Sequence, residues 1–121
     1  MVRSIVIAQK RIHAAFFASA SGHQPVREWL RSLESDDRQR IGRAIAVVEF
    51  GWPIGMPVCR ALGKGLYEVR VQLKDRIARL LFLIDGDDMV LLHGFIKKSQ
   101  ATPRPDLELA KRRQHIWENE A

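Results

Sequence analysis

The chain has 121 residues, with 20 Lys and Arg against 14 Asp and Glu for a net charge of +6, and its pI is about 10.1. That length suits a single domain over residues 1–121, and the charge suits a polyanionic partner, nucleic acid or an acidic protein, without choosing between them. The one cysteine, Cys59, excludes an internal disulfide framework and a multi-cysteine zinc site, and fits a reducing compartment such as the cytoplasm.

Arg3, the apolar Ile5 to Ala8 and the small residues Ala14 to Ala20 imitate a secretory signal. Gln9, Lys10, Arg11 and His13 break its apolar centre, so the segment is expected to be a strand over about Lys10–Ala18. No run approaches the roughly 18 apolar residues of a membrane span.

Ser21-Gly22-His23-Gln24-Pro25 is a turn, and Pro25 suits the first turn of a helix, where its missing N–H has no partner to lose. Val26, Trp29, Leu30 and Leu33 recur at helical spacing, which predicts a short amphipathic helix over Pro25–Leu33. Ser35 starts a second helix, with Asp36 and Asp37 favourably placed in its first turn. Ile41, Ala44, Ile45, Val48 and Glu49 carry it to about Phe50, and Gly51-Trp52-Pro53 stops it.

The next stretch, with Gly55, Pro57, Gly63 and Gly65, is expected to be a loop. Three strands follow at Leu66–Leu73, Arg76–Ile84 and Met89–Lys98, joined by Lys74-Asp75 and by Asp85-Gly86-Asp87-Asp88. Pro103 and Pro105 open a C-terminal helix in which Leu107, Leu109, Ala110, Ile116 and Trp117 can pack on the sheet. The expected fold class is α+β: an antiparallel sheet of the N-terminal strand plus a three-stranded meander, packed against two N-terminal helices and one C-terminal helix.

Strand alternation sorts the side chains into faces. Tyr67, Val69 and Val71 point one way, and Glu68, Arg70 and Gln72 the other. On the last strand Met89, Leu91, His93, Phe95 and Lys97 are expected to share a face. Arg79 lies among large apolar residues and is costly to bury alone, so it either pairs with an acid such as Glu68 or lines a concave site. His93 has ring chemistry suited to proton transfer near neutral pH, with a structural role as the alternative. Phe95 followed by Lys97 and Lys98 reads either as a basic mouth with a stacking platform or as core followed by a solvated strand end. His13, His23 and His115 lack ligand-spaced neighbours, so no metal is assigned. No phosphate loop, dinucleotide fingerprint or nucleophile elbow occurs, which points to cofactor-free chemistry.

Ser21-Gly22-His23-Gln24-Pro25-Val26-Arg27-Glu28-Trp29-Leu30 resembles the opening motif of the phage-derived, HigB-like branch of the RelE/ParE toxin superfamily. The likeness continues through Gly51 to Pro57, Leu62 to Arg70, Arg76 to Arg79 and Leu91 to Pro103, covering about residues 11–118 in the family's order. It implies a toxin of a type II toxin–antitoxin system, with a small α+β fold and a ribosome-dependent mRNA endonuclease activity that needs no metal. It also implies neutralisation by a helix-turn-helix, HigA-like antitoxin, with DNA reached only through the complex.

Arg70 and Arg79 match the family's sheet arginines and Lys97 and Lys98 its paired lysines. Under that resemblance the arginines stabilise the phosphorane, while the lysines hold phosphate or move protons. Glu68 or His93 would be the base, with Glu68 orienting Arg70 as its other role. Tyr67 and Phe95 would stack on bases or pack in the core, and Arg76, Lys111, Arg112 and Arg113 would add RNA contacts, the last three being otherwise a solvated helix face. Two other readings stand beside this one: a ParE-like toxin that poisons gyrase, and an inactive homologue kept as a binding subunit.

Overall fold

A computed structural model describes residues 9–97 and 101–120. Its strands are β1 (His13–Phe16), β2 (Cys59–Gly63), β3 (Leu66–Gln72), β4 (Ile77–Asp85) and β5 (Asp88–Lys97). Its helices are α1 (Pro25–Ser32), α2 (Ser35–Gly51) and α3 (Arg104–Asn119). The strands form one five-stranded sheet in the order β1-β5-β4-β3-β2.

The α+β class holds, with two departures in the sheet. β1 pairs parallel to β5, so the sheet is mixed rather than antiparallel throughout. It is also shorter than expected at four residues, and the start of the signal-like segment, residues 1–8, lies outside the described residues. The second departure is β2, which occupies part of the expected loop and pairs antiparallel with β3. The two-residue turn between them is Lys64-Gly65, with φ of 53° at Lys64 and 79° at Gly65. Positive φ at both positions matches the twist of a hairpin, and Asn-Gly is the usual pair for it. Lys at the first position costs about 1 kcal/mol of backbone strain.

The sheet separates two apolar layers. On one side α1 and α2 bring Val26, Ile41, Ile45 and Val48 onto Val69, Val71, Ala78, Leu80, Phe82, Met89 and Leu91. On the other, Ala110 of α3, with Leu107 and Trp117, covers Leu66, Leu81, Leu83, Val90 and Leu92. Ile116 was expected on the sheet but is exposed, because Ala110, Gln114 and Trp117 take the inward stripe of α3. No helix among the described residues is long and apolar enough to cross a membrane.

One irregularity decides which side chains meet. On β4 the partners step from Leu81↔His93 to Phe82↔Leu91, so Leu92 is an extra residue, a bulge in β5. Simple alternation groups Met89 and Leu91 with His93, Phe95 and Lys97. Instead Met89 and Leu91 pack beneath α1 and α2, while Val90, Leu92 and Phe95 face α3. The bulge therefore carries His93, Phe95 and Lys97 to the α3 side and turns Gly94 under α1, where Trp29 covers it.

Candidate functional site

Directly opposed residues in a sheet share a face, so register assembles the site. One lateral row is Arg70–Arg79–Phe95. The row beside it is Arg60–Glu68–Leu81–His93, and the row on the other side is Gln72–Ile77–Lys97. The apolar stripe of α3 covers the far half of this face and leaves the charged half beside it. There, Arg60, Glu68, Arg70 and Arg79 line a cleft of about 70 Å³, closed on one side by Met56, Pro57 and Val58.

Glu68 organises the cleft. Its side chain is 3% exposed and that of Arg79 is 6% exposed, and the two form an ion pair. Arg79 thus meets both expectations, pairing with Glu68 and lining a concave surface. The same carboxylate accepts a hydrogen bond from the Thr102 hydroxyl and lies 3.7 Å from Arg60 Nη2. Arg60 Nη2 also donates to Thr102 Oγ1 at 3.3 Å. Glu68 therefore ties β2, β4 and the start of the α3 approach together, and its ion pairs go to Arg79 and Arg60 instead of Arg70. Its oxygens are engaged by a guanidinium group and a hydroxyl, with a second guanidinium 3.7 Å away, so its position suits holding cations rather than acting as a base.

Arg70 is exposed and stands directly opposite Arg79. Two like charges at opposed positions repel, and Glu68, which pairs with Arg79, offsets only part of that. With Arg60, Arg70, Arg79 and Lys97 against Glu68, the cluster carries a net +3 among the described residues. Partial burial first, then the nearby Arg79 and Arg70, holds the Lys97 ammonium below its ordinary pKa. A cleft with this field is arranged for an anion. Lys98, its sequence neighbour, lies outside the described residues.

His93 is on the same face but fully engaged. Its Nε2 lies 2.6 Å from Asp106 Oδ1, its Nδ1 lies 3.4 Å from Arg113 Nη1, and its ring stacks on Phe95 at 5.6 Å. Both ring nitrogens are occupied in fastening α3 to β5, so the base role expected of His93 has no free nitrogen to perform it. Phe95 is mostly buried in the α3-side layer, directly opposite Arg79.

Three expected RNA contacts are engaged elsewhere in the fold. Tyr67 points to the opposite face, as alternation requires beside Glu68, and packs edge-on to Trp52 at 5.0 Å and stacked on Phe82 at 5.6 Å. Its role is core packing. Arg76 pairs with Asp37 at 2.5 Å and with Asp75 at 3.0 Å, because the β3–β4 turn folds toward the start of α2. Hydrogen bonds to those two acids raise its pKa further. Arg113 turns inward and donates to the Leu92 carbonyl at 2.8 Å. Lys111 and Arg112 stay exposed on α3.

Arg60 and Thr102 are cleft residues that sequence reasoning missed. Arg60 sits on the unforeseen strand β2, and Thr102 is separated from Glu68 by 34 positions. The only signal was the place of Thr102 inside the Leu91 to Pro103 motif. Among the described residues no group of three His, Cys, Asp or Glu side chains comes together as a metal site would require.

Residues 28–115 match the sequence model of a family described as phage-derived protein Gp49-like (DUF891). No curated protein matches the chain.

Proposed function

Since the chain belongs to the phage-derived Gp49-like family, part of the RelE/ParE-like toxin superfamily, we propose that it is the toxin of a HigB-like type II pair and cuts mRNA on the ribosome. The observation that carries this reading is the partly open Arg60–Arg70–Arg79–Lys97 cluster, built around a single buried carboxylate. A protein that acted only by binding another protein has no use for repelling guanidinium groups converging on one small cleft. RNA supplies the missing negative charge.

The chemistry follows from the residue types. The ribose 2′-oxygen attacks the adjacent phosphorus as its proton passes to solvent water, and the P–O5′ bond breaks as the 5′-oxygen takes a proton from the protein. The products are a 2′,3′-cyclic phosphate and a 5′-hydroxyl. Arg70 and Arg79, with forked donors, hold the non-bridging oxygens as their charge grows. Glu68 fixes the orientation of Arg79 before substrate arrives, and His93 fixes Phe95 and α3, so both are positioning residues. Lys97, still protonated but with a lowered pKa, donates its proton to the departing 5′-oxygen. The partner is a helix-turn-helix antitoxin of HigA type presenting acidic and apolar surface, and DNA is met only through that complex. The setting is the cytoplasm, where ribosomes are.

A pH profile tests the Lys97 assignment. A protonated amine is required, so cleavage should fall as pH rises through the pKa of Lys97, below the ordinary lysine value. Lys97→Arg keeps the charge but holds its proton too tightly to give it up. It should lower the rate by about 10²–10⁴-fold and remove that alkaline limb. A variant that retains rate and limb would leave Lys97 only a phosphate-holding role.

The reading as a whole is tested by mapping 5′ ends of a defined mRNA in a reconstituted translation reaction, with and without ribosomes. Cuts that appear only on translating ribosomes are the expected result. Folded, antitoxin-free protein that makes no cuts would overturn the endonuclease reading and direct the next assay to gyrase.

A further inference from the structure

We propose that the groove between the Lys64-Gly65 turn and α3 binds phosphates of the mRNA strand flanking the scissile one. This rests on the endonuclease reading and extends its substrate path beyond the cleft.

Four observations carry it. The groove, about 430 Å³, is lined by Leu62, Lys64, Lys111, Gln114 and His115, with Glu118 its one carboxylate. That volume suits a nucleotide-sized group. It lies further along β2 from the cleft, since Arg60 lines the cleft and Lys64, in the turn that ends β2, is four residues on, roughly 13 Å of extended chain. Between them Leu62 packs on the α3-side layer and keeps the floor apolar.

The third observation is conformational. Lys64 holds a left-handed backbone conformation that glycine or asparagine adopts more readily. The buried Gln114 donates to its carbonyl at 2.8 Å, so the turn is clamped to α3 and the lysine is presented from a fixed point. A strained residue that the surroundings hold in place is where a functional side chain is to be sought. Fourth, Lys111 and His115 are one turn apart on α3 and line the same groove. Two exposed ammonium groups lining one groove match the repeating charge of a single strand and give its backbone a track.

The test uses the full chain and a short single-stranded RNA carrying a 2′-deoxy substitution at the cut site, which prevents attack. Binding is followed by fluorescence anisotropy from low to moderate salt. Lys64→Gly with Lys111→Ala should weaken binding about tenfold at low salt and flatten the log–log salt slope by about 1.4, which is two contacts at ~0.7 each. Lys64→Gly alone should melt at or above the wild-type temperature, because glycine fits the turn, so any lost affinity is not lost folding.

Unchanged affinity and slope would overturn the proposal. So would a double variant weakened only toward its antitoxin, which would make the groove a protein contact, or only toward empty ribosomes, which would make the bound phosphates ribosomal. Wild-type protein that cuts ribosome-bound mRNA yet shows no salt-dependent affinity for the oligonucleotide overturns this inference and leaves the endonuclease reading standing. Wild-type protein that neither binds nor cuts RNA removes both.

Discussion

Arg79→Ala should reduce mRNA cleavage by about 10²–10³-fold, the loss seen when one preorganised donor to a developing oxyanion is removed. The same change should lower stability by about 3–5 kcal/mol, since it leaves a buried carboxylate without its closest cation. Glu68 is 3% exposed, so solvent compensates little of that loss. Thr102 and the more distant Arg60 remain as partners and hold the cost within that range. The two effects separate in a double variant. Arg79→Met with Glu68→Gln removes both buried charges, so denaturant unfolding should recover most of the lost stability while cleavage stays as low as in Arg79→Ala. Growth arrest by this double variant at the wild-type level would show that the pair serves folding alone.

Gly94→Ala should be the most destructive single methyl in the chain. A Cβ at this position would lie 2.3 Å from Cζ3 and 2.4 Å from Cε3 of Trp29, far inside contact distance. The ring sits between α1 and the sheet and packs on the buried layer, and interiors at crystal-like density have no slack to absorb such an overlap. A loss of about 3 kcal/mol or more is expected, at the upper end of overpacking effects, read as the shift in denaturant midpoint. Trp29→Leu in the same chain should recover part of it by vacating the space over Gly94. If Gly94→Ala unfolds at the wild-type midpoint, the close seating of α1 on β5 is wrong. The pair explains why a tryptophan in the first helix and a glycine beside His93 belong to one arrangement: the indole needs a strand position without a side chain.

These two sites illustrate how far the sequence can be read. Apolar spacing located α1 and α2 within a residue or two, because a helix face is set by neighbours three and four apart, and Pro103 and Pro105 marked the start of α3. Asp-Gly and Lys-Asp punctuation likewise located β3, β4 and β5 nearly to the residue. The acid that would accompany Arg79 was also legible, since an arginine among Leu80, Leu81 and Phe82 must find a partner and Glu68 was the nearest candidate on a neighbouring strand.

β2 was hidden because Lys-Gly is an uncommon hairpin pair and because glycine and proline surround it. The parallel pairing of β1 was hidden because nothing local records which strand edge a distant segment joins. The bulge at Leu92 had the largest functional consequence. A period of two is the only rule a reader can apply to Met89–Lys97, and one inserted residue reverses every side chain beyond it. That inversion puts Phe95 and Lys97 beside Arg79, and His93 against Asp106.

Local composition and periodicity thus determined most of the elements, the apolar layers and a basic character suited to a polyanion, because those properties depend on residues close together in the chain. Only the tertiary structure decided that Arg60 and Thr102 join Glu68, that Tyr67 and Arg76 leave the site, and that Lys64 and Lys111 line one groove. Each of those outcomes depends on register, and register is set by the packing of the whole sheet against helices on both sides.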